Sequence, residues 1–381
     1  VNLPVSVPPV ARRRPSFVPG LIGLLLLFVL AIGGAVAFSA YLLRANPQPA
    51  IPASPSPAPF RVIFHQDGGM WLVGSGVAPR RLAEVPAGLS ARITAMSLAP
   101  DGRYALLISE IGGFHGWLLA APNLTPEPLP LPPRTVGPGP WRYIAVSWQN
   151  GRTPNLLLAS GSIKAPRAVV GSFGVGSGGA VSAGWIALGV LNGQPLSLAP
   201  LADQIAILET DPAAADFAPQ SAIRLQRLDG SQPRVAWHAV GGTQPAALLW
   251  APDGGTVAVV GDHGLAIQKS SGRAVRVVPD GIPPVSFSRQ GDSVAYLSGS
   301  QGAWQIHVLR LHGEYDHSFT VPDPRVVPRW LGWTPDERAL VYVSGTTLWE
   351  IDPNSGAATR LAGGVSGQIA GIAPAGTAFT P

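Results

Sequence analysis

The chain has 381 residues, of which Gly and Pro account for 46 and 41. That share disfavours a mainly helical protein, because both residues are poor in helix interiors. The absence of Cys rules out disulfides, thiolate metal sites and a Cys nucleophile. The formal charge of +5 is concentrated at the N-terminus, where Arg12, Arg13, Arg14 and Arg44 meet no acid. The rest of the chain is nearly neutral, so it lacks the basic surface that a nucleic-acid binder needs.

In chain order, residues 1–16 read as a cytoplasmic tail. Phe17 to Leu43 is an uncharged, strongly apolar run. At about 1.5 Å per residue it is long enough to cross a bilayer as one helix. The Arg triplet before it holds the N-terminus inside and sends the body across the cytoplasmic membrane. A competing reading is a cleaved signal peptide with Ala35-Val36-Ala37 as the cleavage site. The apolar run continues through Phe38 to Leu43, which favours a retained anchor. Either way the body lies on the extracytoplasmic side, periplasmic or extracellular. Residues 44–59 are a linker with six prolines from Ala45 to Pro59. Such a spacer is semi-rigid and reaches roughly 40–50 Å.

From residue 60 to 381 one pattern recurs. A large apolar residue is followed by a small residue, Pro, Asp and Gly, then by a β-branched run. It occurs as Leu98-Ala99-Pro100-Asp101-Gly102, Trp250-Ala251-Pro252-Asp253-Gly254 and Trp333-Thr334-Pro335-Asp336-Glu337. Degenerate copies lead from Trp148, Leu198, Phe287 and Ile372. The seven leading positions are spaced by about 46 residues on average, the length of one four-stranded propeller blade. Each copy predicts a strand, a tight turn set by Pro and by Asp or Gly, and a strand buried between neighbouring blades. The segment Val62–Leu72 parallels Leu340–Glu350 but lacks a preceding turn strand, and the copy at Ile372 supplies that strand alone. One blade is therefore expected to combine both ends of the body, closing a ring of seven.

This pattern, with a Trp-centred third strand and the Asp352-Pro353-Asn354-Ser355-Gly356 turn of a last hairpin, resembles the PD40 (TolB-like, WD40-like) propeller repeat. The resemblance covers residues 60–381. It implies an all-β, seven-bladed propeller, here preceded by one transmembrane α-helix. The family includes periplasmic TolB and the propellers that cap prolyl-oligopeptidase-type hydrolases. The anchor and the lack of TolB's α/β domain depart from TolB itself. Propellers carry unrelated functions, so function has to come from a site.

No Gly-x-Ser-x-Gly occurs, so a nucleophile elbow is missing. Gly174–Gly179 matches G-x-G-x-x-G, but Trp185–Val190 after it read as a strand rather than the helix that phosphate binding requires. His312, Glu314, Asp316 and His317 form the densest ligand-like cluster, and are the weak candidates for a metal. Gly313 sits where the repeat places a hairpin turn, so a solvated outer hairpin is the better reading. No catalytic or cofactor-binding residue is assigned, and no cofactor is expected. Three segments exceed the needs of the repeat: 121–140, 171–184 and 209–221. Long loops of this kind tend to be functional.

The expectation is a non-enzymatic interaction scaffold or accessory subunit of a membrane complex. It would contact the membrane through residues 17–43, bind protein partners, and bind no nucleic acid. The alternatives are a cell-envelope glycan- or peptide-binding propeller, and a propeller-type hydrolase or lyase.

Overall fold

The computed structural model describes residues 60–377, except 75–76, 86–92, 122–123, 138, 150–152, 163–164, 177–179, 211–220, 239–244, 262–263, 272–273, 300–301, 314–315 and 376. The expected anchor and linker lie outside the described residues. Among the described residues no helix is long and apolar enough to cross a membrane.

Twenty-eight strands form seven four-stranded antiparallel sheets. The first strands of blades 2 to 7 are Ile93–Leu98, Arg142–Gln149, Gln194–Leu198, Pro245–Trp250, Gly281–Phe287 and Pro328–Trp333. These strands touch one another from blade to blade, which places them around the central axis. All seven leading residues read from the repeat lie at or near the C-terminal ends of such first strands. Blade 1 is built from both ends of the body: Gln368–Pro374 is its inner strand, followed outward by Phe60–Gln66, Gly69–Gly74 and Val77–Glu84.

The second strands explain the apolar runs. Leu106 and Ile108 face the blade 2–3 interface, while Ala105 and Leu107 face blade 1. Leu340 and Tyr342 face blade 6, while Val341 and Val343 face blade 1. Successive side chains of a strand point to opposite faces, and here both faces are covered, so the sequence reads as continuous hydrophobics. The core accordingly comprises seven clusters, one at each blade interface.

The Pro-Asp-Gly turns repeat in detail. The amide of the fourth turn residue donates to the carbonyl of the first: Gly102 to Ala99 (2.8 Å), Gly254 to Ala251 (2.9 Å) and Glu337 to Thr334 (2.9 Å). The Asp carboxylate then accepts from an amide two residues on, Asp101 from Arg103 and Asp253 from Gly255, both at 2.9 Å. The fourth residue is left-handed, with φ of 74° at Gly102 and 69° at Gly254. Two copies place a residue with a Cβ there, Ala202 at φ 54° and Glu337 at φ 59°. We expect Ala202→Gly to raise stability by about 1 kcal/mol, read as a higher melting temperature. Glu337 also accepts the Gln290 amide from blade 6 at 2.6 Å, so Glu337→Gly gains less.

Indoles tie neighbouring inner strands. Trp148 Nε1 donates to Ser97 Oγ of blade 2 at 2.8 Å, and Trp333 Nε1 donates to the Ser286 carbonyl of blade 6 at 3.1 Å.

One of the segments read as a long loop, 171–184, is largely strand. Residues 171–175 and 181–184 belong to the paired strands Arg167–Val175 and Val181–Val190. Gly171 looked like loop composition but is needed inside the sheet: a Cβ there would lie 2.5 Å from the Trp185 ring. Within 121–140, Thr125–Pro128 is the outer strand of blade 2 and Arg134–Val136 is a 3-10 turn. The third segment runs from the strand ending at Thr210 to the one starting at Ser221, and its tip at 211–220 is not described.

Candidate functional site

Of the suggested metal candidates, His312, Asp316 and His317 are among the described residues. His312 is exposed in the turn that follows Gln305–Arg310. Asp316 and His317 begin the outer strand of blade 6 and, as consecutive strand residues, point to opposite faces. His317 lies 4.9 Å from Phe319 by ring centroids. Glu314 lies outside the described residues. Among the described residues no group of three or more His, Asp or Glu side chains could hold a metal ion. Gly174 is paired within the strand Arg167–Val175, and the next described element after Gly179 is the strand Val181–Val190, not the helix that cradles phosphate.

Asp316 turns instead into the seam between blades 5 and 6. Its Oδ2 accepts from Arg276 Nη2 of blade 5 at 2.7 Å and from the Tyr296 hydroxyl at 3.4 Å. Its Oδ1 lies 3.4 Å from His307 Nδ1. His307 Nε2 lies 2.6 Å from Ser298 Oγ. The His307 ring stacks flat on Tyr296, with centroids 4.9 Å apart and planes at 11°. Burial first, and then the Asp316 charge, raise the Tyr296 hydroxyl pKa, against an opposing effect of Arg276. Tyr296 is therefore a neutral donor at physiological pH.

Ser298, His307 and Asp316 share the atom connectivity of an acyl-transfer triad: hydroxyl to Nε2, and Nδ1 to carboxylate. Other features of that chemistry differ. The serine ends the paired strand Ser293–Ser298 rather than sitting on a sharp strand-to-helix turn. The histidine is clamped on an aromatic face, and the carboxylate is shared with a guanidinium. The arrangement fastens two blades, with Asp316 as the shared acceptor. No local motif in the sequence marks His307. The signal was the blade register, which sets Tyr296 opposite His307 and His307 opposite Ser318 on adjacent strands.

A polar cavity of about 310 Å³ lies between blades 6 and 7, beside the Pro-Asp-Gly turns. Ser288, Asp292, Arg310, Trp333, Glu337 and Asn354 line it. Asp292 accepts from Ser288 Oγ at 2.8 Å and from Ser293 Oγ at 3.1 Å. An indole wall, two carboxylates, a guanidinium and an amide suit a polar ligand with several hydroxyl or amide groups. Close by on blade 7, burial first and then the Asp336 charge raise the Glu350 carboxyl above its ordinary 4.5. The folded chain thus holds this proton more tightly than the unfolded one, and stability falls as pH rises from 4.5 through the raised value. At pH 7, Glu350→Gln is expected to raise the melting temperature. The gain should vanish below pH 4.5, where both states carry the proton.

No known protein-family pattern matches the chain, and no curated protein is similar to it. Among solved structures, the chain is similar to a functionally unknown protein from Desulfotomaculum acetoxidans, with a TM-score of 0.51 and 12% identity over 82% of this chain and 98% of that one. It is similar to a candidate 6-phosphogluconolactonase from Bacteroides uniformis, with a TM-score of 0.51 and 14% identity over 82% and 100%. It also matches TolB from Acinetobacter baumannii, with a TM-score of 0.42 and 13% identity over 82% and 81%. The fold makes the described body a seven-bladed β-propeller, and at such identities the likeness is one of fold alone.

Proposed function

We propose that the chain is a PD40/TolB-like propeller held at the extracytoplasmic side of the cytoplasmic membrane by residues 17–43, acting as a non-enzymatic interaction scaffold or accessory subunit of a membrane complex. The observation that carries the interaction role is the outer strand of blade 3. Val181–Val190 lies inside a stretch, Ala168 to Ala202, with no charged residue. It exposes Ile186 by 49% and Val190 by 60%, on a strand that has a hydrogen-bonded neighbour on one side only. Open apolar edges of this kind mark docking surfaces. The membrane position rests on the uncharged run, the Arg triplet and the Pro-rich spacer.

The cavity between blades 6 and 7 supports a second reading, a binder of cell-envelope glycans or peptides, because it offers Trp333 beside Asp292, Glu337 and Asn354. The test is extraction of native membranes in mild detergent, followed by particle mass and composition. The scaffold reading expects an intact N-terminus in a defined complex. A solitary soluble chain beginning after Ala37 would overturn it and leave glycan or peptide binding as the reading to screen.

A further inference from the structure

We propose that the outer strand of blade 3 pairs with the same strand of a second copy of this chain, antiparallel and about a two-fold axis through Gly184. This rests on reading that strand as a docking edge, and adds what docks there.

The comparison within the ring is the first argument. The outer strand Val77–Glu84 carries Arg80, Arg81 and Glu84, and Thr125–Pro128 is short and carries Glu127 between two prolines. The other guarded outer strands carry Arg234, Arg276, Asp316 and Arg360. Charges, prolines, brevity and bulges are means by which sheet edges avoid pairing with another chain. Val181–Val190 has no charge and no proline, is the longest outer strand at ten residues, and carries its bulge only near one end, at Leu188.

The second argument is self-complementarity. From Val181 to Ala187 the strand runs in unbroken register with its neighbour, Val181 opposite Val175 through Ala187 opposite Val169. The irregularity comes only afterwards, at Leu188. The straight segment is centred on Gly184. Two identical antiparallel strands in one sheet are related by an axis normal to the sheet, which preserves the faces. Only residues of the same face can then lie opposite each other. An axis at Gly184 sets Val181 against Ala187, Ser182 against Ile186, Ala183 against Trp185, and Gly184 against itself. Each off-axis pair joins a large side chain to a small one, so volumes match along the seam. At the crossing point a Cβ on Gly184 would meet nothing within 4 Å, leaving room for a second backbone. Val136 of the 3-10 turn packs in the cluster that holds Trp185, and the hydrogen-bonding edge of the strand carries no ladder. An isologous contact of this kind closes after two copies, because each ring has one such edge.

The test uses the full chain purified alone in mild detergent, with particle mass measured against concentration. A dimer is expected. Ile186→Lys should raise its dissociation constant at least tenfold without changing the melting temperature measured at concentrations where both chains are monomeric. Val277→Lys, at a 64% exposed position on the guarded outer strand of blade 5, should leave it unchanged. Because the chain has no Cys, the register can be read directly. Gly184→Cys should cross-link to its twin on mild oxidation, since paired Cα atoms lie about 4.5–5.5 Å apart. Ser182→Cys should not, because its twin lies four residues along. A monomer at all concentrations, a dimer indifferent to Ile186→Lys, or cross-linking through Ser182→Cys instead of Gly184→Cys would overturn the proposal. If the purified chain is a monomer but native membranes yield a hetero-complex that Ile186→Lys disrupts, self-pairing falls and the interaction reading stands.

Discussion

Removal of residues 368–381 is expected to abolish cooperative folding. The strand Gln368–Pro374 pairs with Phe60–Gln66 from Phe60 opposite Pro374 to His65 opposite Gln368. Without it, Ile369, Ala370 and Ala373 leave two interblade clusters, and the apolar Phe60–Gln66 strand loses its inner neighbour. Burying an Ile contributes roughly 1.5–3 kcal/mol, so Ile369 and Ile372 alone account for about 4 kcal/mol. The loss also reaches contacts outside the ladder. Arg61 donates to the Thr377 carbonyl at 2.7 Å, and Thr377 Oγ1 donates to the Asp101 carbonyl of blade 2 at 3.2 Å. A typical domain is stable by only about 5–15 kcal/mol. Denaturant unfolding followed by fluorescence of the eleven Trp residues should lose its sharp transition. A synthetic peptide of residues 366–378 added in trans should restore it in part. An unchanged midpoint in the truncated chain would show that closure contributes little.

The second large effect is local. Gly102 lies at φ 74°, and a Cβ there would come within 2.5 Å of Ala373 Cβ and 2.9 Å of Thr377 Oγ1, both in blade 1. Gly102→Val therefore carries the left-handed backbone cost, about 1–2 kcal/mol, plus a collision with a neighbouring turn. Together these should cost about 3–4 kcal/mol. Gly112→Val provides the comparison, because Gly112 has φ 81° but open space within 4 Å. It should cost the backbone term alone. Equal losses at the two positions would mean that turn-to-turn packing does not hold the ring together.

The blade count and the mixed blade were legible because turn chemistry and burial on both faces leave a mark at each repeat. Even the copy at Trp148, which lacks the Pro and is one residue short, lies on its inner strand Arg142–Gln149. The segment 171–184 misled because Gly171, Gly174 and Gly176 carry loop composition. In fact Gly171 makes room for Trp185 across the ladder, a reason that depends on a partner strand and is invisible along the chain. The seam of Ser298, His307, Asp316 and Arg276 was hidden for the same cause. Its members come from four strands of two blades, so no local motif records it. The cavity residues between blades 6 and 7 were half visible. Trp333 and Glu337 lie within one turn copy, while Asp292, Arg310 and Asn354 come from other hairpins.

The mixed blade also sets a clock. Arg61 and Thr377 stand 316 residues apart, and a ribosome adding 5–20 residues per second needs roughly a quarter of a minute to a minute to cover that distance. Throughout that interval the first strand made, Phe60–Gln66, has an apolar edge and no inner partner. A nascent chain of this design cannot finish its first blade until Gln368–Pro374 has been synthesised. A chaperone that shields the open edge until Gln368–Pro374 arrives suits this order of events. The strand Gln368–Pro374 then doubles as a check on the ring: a product terminated before it keeps the Phe60–Gln66 edge open and presents itself to proteases.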